Sequence, residues 1–204
     1  MTNTTDRRRS IHPRVLYAGS PVVLLGTLND DETTNLAPAS SYWALGHTAV
    51  LGLEDGGQTL CNISSRPELT ISFLSPSYWR SFEAIAETTG NPNIPDTKRG
   101  HYRYVKDKFA AAKLTPEASE QVHPAAVAEA ELQFEASVAR ITPGVMGGYS
   151  IVEAQIVRIH AQPRILDQNG EHINTQAWNP TIYAFRDYFP LGQTVGGRPG
   201  GSAG

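Results

Sequence analysis

Near the start of the chain stand short polar side chains rich in hydrogen-bonding groups: Thr27, Asn35, Ser40 and Ser41, then Thr59 and Asn62. Hydroxyls and amides of this kind suit a phosphate or a heteroaromatic ring. Thr59 and Asn62 fall near the start of an expected short helix, where N–H groups favour anions. Ala37 and Ala39 are small enough to let the backbone approach a flat ligand closely. Caps and turns draw on the same residue types, so from spacing alone a ligand site and plain turn chemistry both stand open.

Other chemistries find less support. The six histidines, His12, His47, His101, His123, His160 and His172, include no pair at a chelating i, i+2 to i+4 spacing and no His-Glu-x-x-His. They read as surface or structural residues, and no metal site is expected. Cys61 reads as a small, partly buried helix residue rather than a nucleophile. No Gly-x-Ser-x-Gly elbow is present, and no Gly-x-Gly-x-x-Gly turn follows a strand. Glu129, Glu131 and Glu135 alternate with apolar residues. They are expected on the solvent face of a strand rather than as an acid–base pair.

The elements that must position these groups belong to a chain of 204 residues with a formal net charge of -3. That length suits one domain with a real core. The charge gives no global field to draw nucleic acid or an anionic membrane. The basic run Arg7-Arg8-Arg9 reads as a solvated end. The longest apolar runs are strand-sized, so no transmembrane helix is expected. Ser10-Ile11-His12-Pro13-Arg14 stands where a signal peptide needs its apolar region, and a cytoplasmic protein is expected. A single cysteine excludes an internal disulfide.

The first half reads as strands with short helices. Apolar residues from Val15 to Thr27 are interrupted at Gly19-Ser20-Pro21, and Asn29-Asp30-Asp31 makes a hairpin-type turn. The run from Thr48 to Leu53 predicts a strand buried on both faces. Thr59 to Arg66 predicts a helix stopped by Pro67, and Leu69 to Leu74 a strand. Ser77 is the expected N-cap of a helix over 78–88 with Phe82 and Ile85 on one face, and Val105 to Lys113 a short helix anchored by Phe109. The second half is β. Ala128 to Ile141 alternates, with Ala130, Leu132, Phe134, Ala136 and Val138 inward. Tyr149 to Ala161 repeats the pattern through Ile151, Ala154, Ile156 and Ile159, with a bulge expected near Glu153. The stretch to Leu191 is aromatic-rich and irregular. Residues 1–12 and the glycine-rich 193–204 are expected to be flexible tails. Several strands with turn signals and two or three short helices indicate a β-barrel with peripheral helices.

The order of segments adds to this. Thr27 is followed by Asn35-Leu36-Ala37-Pro38-Ala39-Ser40, then Thr48-Ala49-Val50-Leu51-Gly52-Leu53, Thr59-Leu60-Cys61-Asn62-Ile63 and Glu68-Leu69-Thr70-Ile71-Ser72-Phe73. Later segments, 105–119, 127–141 and 151–173, continue it. Together they resemble the flavin reductase-like, FMN-binding split-barrel family, also called flavoredoxin-like, over about residues 14–190. The resemblance implies a mainly β fold, a Greek-key split β-barrel over 13–192 with peripheral short helices. It implies a homodimer with non-covalent FMN near the subunit interface. By match, Thr27, Asn35, Ala37, Pro38, Ser40 and Ser41 contact the flavin, with Tyr42 and Trp43 beside the ring or in the core. Thr59 and Asn62 hold the ribityl-phosphate end, and Lys108 is a phosphate or dimer contact or a solvated helix lysine. Departures from the pattern are Gln58, where many members carry a charge, and Cys61, where a long polar residue is frequent. Arg66, one turn on, is the candidate replacement cation.

The implied activity is NAD(P)H-dependent flavin reduction, with a flavin-dependent monooxygenase or another acceptor downstream. Two alternatives remain: an FMN-binding electron carrier without nicotinamide activity, and a split-barrel binding module that has lost flavin. Hydride transfer to flavin needs no protein acid or base, which accounts for the lack of a catalytic motif, and catalytic residues are left unassigned.

Overall fold

Val22 to Leu25 is a run of four apolar side chains, and all four are buried. A strand must therefore be covered on both faces, which is how the molecule is layered. The computed structural model describes residues 8–13, 15–94, 96 and 99–197. Its elements are β1 (Ala18–Pro21), β2 (Val23–Leu28), β3 (Thr34–Ala39), β4 (Tyr42–Leu45), β5 (Thr48–Glu54), α1 (Gln58–Ser65), β6 (Glu68–Phe73), α2 (Trp79–Ala86) and β7 (Thr88–Thr89). There follow β8 (Arg103–Tyr104), α3 (Lys108–Ala112), β9 (Pro116–Glu117), β10 (Ala126–Val127), β11 (Leu132–Pro143), β12 (Tyr149–Ala161), β13 (Ile182–Ala184) and β14 (Asp187–Phe189).

Seven strands form one antiparallel sheet in the order β3-β2-β6-β11-β12-β5-β4. Its edge strands, β3 and β4, are consecutive in the chain and joined only by Ser40-Ser41. The Ser41 carbonyl accepts the Gly52 N–H at 2.9 Å, so β5 holds the chain where it leaves β3. The sheet thus curls until its two edges meet at a covalent corner. This is the expected split barrel.

Alternation sorts the side chains into two cores. Inside the barrel are Val23, Leu25, Leu51, Ile71, Phe73, Val152 and Ile156, with α1 adding Ile63. Outside it, Val22, Leu24 and Leu36 pack against Phe82 and Ile85 of α2 and Phe109 of α3. The longest pairing, β11 with β12, carries two irregularities that skip Ala139 on one strand and Val157 on the other. A residue left out of register bends and twists the strand locally, which helps curl a sheet.

Several expectations are corrected. Glu131, Gln133 and Glu135 do not face solvent. Gln133 and Glu135 are buried because the chain between Thr115 and Val127 folds back over that face of β11, and Glu131, just before the strand, is buried and paired with Arg164. On β12 the inward residues are Val152, Ala154 and Ile156; Ile151 and Ile159 are exposed, and the bulge facing Glu153 lies on β11 at Ala139. Ser77 does not cap α2. Its hydroxyl pairs with that of Ser75 while a 3-10 turn, Pro76–Tyr78, leads into the helix. The helix ends at Ala86, and Thr88–Thr89 pair with Arg103–Tyr104 instead. α3 starts later than expected, at Lys108, where the Asp107 carboxylate accepts the Ala110 N–H at 2.9 Å. Cys61 is exposed rather than partly buried. The aromatic stretch near the C-terminus forms the hairpin β13–β14, of which β13 pairs with β1. Of the expected tails, 1–7 and 198–204 lie outside the described residues, and 8–12 and 193–197 form no helix or strand. No helix among the described residues is long and apolar enough to cross a membrane.

Candidate functional site

A cavity of about 440 Å³ opens beside the barrel corner. That is within the range of sites for drug-sized ligands. The small residues of β3 and the corner, Ala37, Pro38, Ala39, Ser40 and Ser41, form one wall. The start of α1, from Gly57 to Leu60, forms a second. The end of α2 with Thr88 and Thr89, together with Tyr102 and Lys108, forms a third. Tyr17, Tyr183 and Tyr188 line the side nearest β1 and the β13–β14 hairpin.

Asn35 sits at the base of this arrangement and is 1% exposed. Its amide nitrogen donates long bonds to Thr59 Oγ1 at 3.4 Å and Thr27 Oγ1 at 3.5 Å. Its Oδ1 is buried and accepts no hydrogen bond among the described residues. An unanswered buried acceptor costs about 1–3 kcal/mol, so its persistence beside a cavity points to a ligand donor. Gly90 packs directly against this oxygen. A Cβ there would stand 2.6 Å from Asn35 Oδ1.

The other buried amide is satisfied. Asn62 donates to Thr27 Oγ1 at 3.1 Å and to Asn29 Oδ1 at 2.9 Å, and accepts from Gln58 Nε2 at 2.7 Å. Thr27 and Asn62 therefore stand behind the lining and brace Asn35 and Gln58. Tyr42 also lies outside the lining. Its ring meets Phe73 edge-on at 5.4 Å in the barrel core, and burial pushes its phenol up to about 12. Trp43 points outward and is exposed.

Electrostatics distinguish one end of the cavity. No side chain caps α1 at Gly57, and the first turn of this helix carries no acidic residue. Its first N–H groups and helix dipole favour an anion. Lys108, expected either as a contact or as a solvated lysine, is 3% exposed and lines the same cavity, with Nζ 3.4 Å from the Thr88 carbonyl. Arg66 is instead paired with Asp30, away from the lining. The structure thus gathers Asn35, Ala37, Pro38, Ser40, Ser41, Thr59 and Lys108 in one lining and leaves Thr27, Tyr42 and Asn62 outside it.

Sequence reasoning missed Tyr17, Tyr183 and Tyr188. The clustering of aromatics near the C-terminus was the available signal, but the hairpin that carries two of them has no Asn-Gly or Asp-Gly loop to announce it. Thr88 and Thr89 were hidden by the helix pattern before them. Among the described residues, no group of three or more His, Cys, Asp and Glu is placed to hold a metal ion.

No protein-family model matches the chain. YdfE of Bacillus subtilis (strain 168), an uncharacterized protein, is 42% identical over 195 residues, spanning 94% of this chain and 93% of that protein. Among solved structures, the flavoredoxin of Desulfovibrio vulgaris (Miyazaki F) superposes with a TM-score of 0.79 at 22% identity, covering 95% of this chain and 98% of that one. Nitrilotriacetate monooxygenase component B from Bacillus cereus gives 0.73 at 18% identity, covering 94% and 100%. At those identities the likeness lies in the fold. The chain belongs to the family of YdfE, and its fold is that of the flavin reductase-like split-barrel proteins.

Proposed function

We propose that this protein is an FMN-binding oxidoreductase that uses NAD(P)H to reduce flavin. The observation that carries this reading is Asn35 Oδ1, a buried acceptor without a partner among the described residues, in the lining of a cofactor-sized cavity. It fits a ring N–H or a ribityl hydroxyl. The uncapped start of α1, with Thr59 and Lys108 in the same lining, fits the phosphate. Ala37 and Pro38 fit a flat ring, and Ser40 and Ser41 add hydroxyls at its edge.

Asn35, Thr59 and Lys108 would hold the flavin, which would supply the redox chemistry of hydride acceptance. The protein's part is to bind and orient. Asn35 fixes the depth of the ligand, while Thr27 and Asn62 keep Asn35 and Gln58 in place. Tyr17, Tyr183 and Tyr188 limit water at the open side. No protein acid or base is required.

The same reading includes a homodimer and a cytoplasmic location. Trp43 and Leu45 on β4 and Ile151 and Val157 on β12 are large apolar residues left exposed, and such residues suit a protein partner. Similarity to a monooxygenase component supports a flavin-dependent monooxygenase as an electron acceptor.

The test is titration with FMN, then stopped-flow mixing with NADH and NADPH. Saturable FMN binding followed by bleaching of the flavin is expected. Absence of binding on the order of tens of micromolar sinks the proposal and favours a binding module. Binding without bleaching by either donor favours an electron carrier.

A further inference from the structure

A second cleft, of about 420 Å³, adjoins the cavity and shares Glu83, Tyr183 and Tyr188 with it. Its outer wall is the β13–β14 hairpin, which turns through two residues, Phe185 and Arg186. Both have positive φ, +47° and +82°. Two-residue hairpins need such angles and normally obtain them with Asn-Gly or Asp-Gly. A bulky residue held there costs roughly 1–2 kcal/mol. Strain of this kind, where the fold alone does not demand the side chain, clusters at functional sites.

Arg186 faces the cleft, and among the described residues no partner accepts a hydrogen bond or ion pair from its guanidinium. Asp187 and Glu83 share the lining, the latter accepting a hydrogen bond from the Tyr188 hydroxyl at 2.6 Å. Trp79 is 38% exposed in the same cleft, with the Arg80 guanidinium over its ring at 4.4 Å. The cleft therefore offers an aromatic surface for a base, carboxylates for vicinal hydroxyls and a guanidinium for phosphate oxygens. That set matches an adenosine diphosphate group.

We propose that this cleft holds the adenosine-diphosphate half of the nicotinamide donor, with Arg186 on its pyrophosphate; this rests on the flavin-reductase reading above. The shared wall lets one molecule reach from the cleft into the cavity. Glu83 and Asp187 in the lining disfavour a further phosphate on the ribose, so NADH is preferred to NADPH.

The experiment uses the FMN-loaded protein. ADP-ribose is titrated by calorimetry into wild type and Arg186→Gly, and turnover is measured with NADH, NADPH and reduced nicotinamide mononucleotide. Glycine accepts the positive φ at this position, so the variant keeps its fold. Arg186→Gly is expected to weaken ADP-ribose and raise the KM for NADH by about tenfold or more, leaving kcat, FMN affinity and the KM for the mononucleotide unchanged. In Asp187→Asn the preference shifts towards NADPH. The proposal is overturned if wild type does not bind ADP-ribose, if Arg186→Gly leaves the KM for NADH unchanged, or if the mononucleotide serves as well as NADH. A protein that binds ADP-ribose but is reduced by neither donor upholds the adenosine-diphosphate site and overturns the flavin-reductase reading instead.

Discussion

Asn35 and Glu135 are both polar, both on strands of one sheet, and both nearly inaccessible, at 1% and 2% exposure. Their surroundings are opposite. The Glu135 carboxylate accepts the N–H groups of Glu120, Gln121 and Val122 at 2.9, 2.6 and 3.2 Å, and His160 Nε2 lies 2.7 Å away. Every donor is supplied by the chain itself, and the carboxylate fastens the 115–127 segment to the barrel. Asn35 has only long bonds to its nitrogen and none to its oxygen among the described residues. A buried group fully answered from within is a fastening, and one left unanswered beside a cavity points to a second molecule. Glu131 stands between the two. One oxygen meets Arg164 at 3.0 Å and the other has no hydrogen-bond partner among the described residues, in the lining of a cleft of about 300 Å³.

The contrast is broken most directly at Glu135. Glu135→Ala strands three N–H groups and is expected to cost about 3 kcal/mol or more in urea unfolding while leaving FMN affinity unchanged. Equal stability of variant and wild type sinks its role as a fastening. Burial opposes the charged form of Glu135, but the Glu120 and Gln121 N–H groups and His160 outweigh it and hold the carboxyl below its ordinary range. A group depressed by folding stabilises above its unfolded pKa and loses that contribution as the pH falls through its folded value. Wild type should therefore lose urea resistance below the ordinary glutamate value of 4.5, and Glu135→Gln should flatten that loss.

Asn35→Ala and Thr59→Ala test the other side. Each should weaken FMN by about tenfold or more with stability within about 1 kcal/mol of wild type, since the unanswered acceptor leaves with Asn35. Unchanged affinity in both would show that the cavity is not the flavin site. Gly90→Ala drives a methyl towards Asn35 Oδ1 and should weaken FMN by about threefold to tenfold, read by fluorescence quenching. The smallest effect is expected at Glu131→Gln, within about 0.5 kcal/mol in urea unfolding, because one buried charge and one screened ion pair are removed together. A loss as large as that of Glu135→Ala would place Glu131 with the fastenings.

Much of the barrel was legible in sequence because alternation and turn residues are local. β2, β5, β6 and α1 lie close to where the pattern placed them. What alternation cannot say is what covers a face. Glu131, just before β11, and Glu135 on it fall on one side as expected, but the cover over Glu135 comes from a segment with little regular structure. On β12, Ile151 and Val152 are both apolar and β-branched, so residue type could not fix the parity of the strand. In the candidate site, β3 and the start of α1 were marked by small and hydroxyl residues in order. The tyrosines of β13 and β14 reach it through the pairing of β13 with β1 and the packing of Tyr188 on Phe82, contacts between residues far apart in the chain.

The Ser40-Ser41 corner has a consequence for the order of assembly. The cavity wall at the corner is where one sheet edge runs into the other, and β5 must pair with β12, about a hundred residues away, before both edges are held. Such distant pairings are slow to form because they close long loops. The pocket cannot exist on a half-built barrel, so a ligand that fills it selects chains whose folding is complete. It adds its binding free energy to those alone. If the ligand is FMN, quenching of its fluorescence during refolding would then time the closing of the ring.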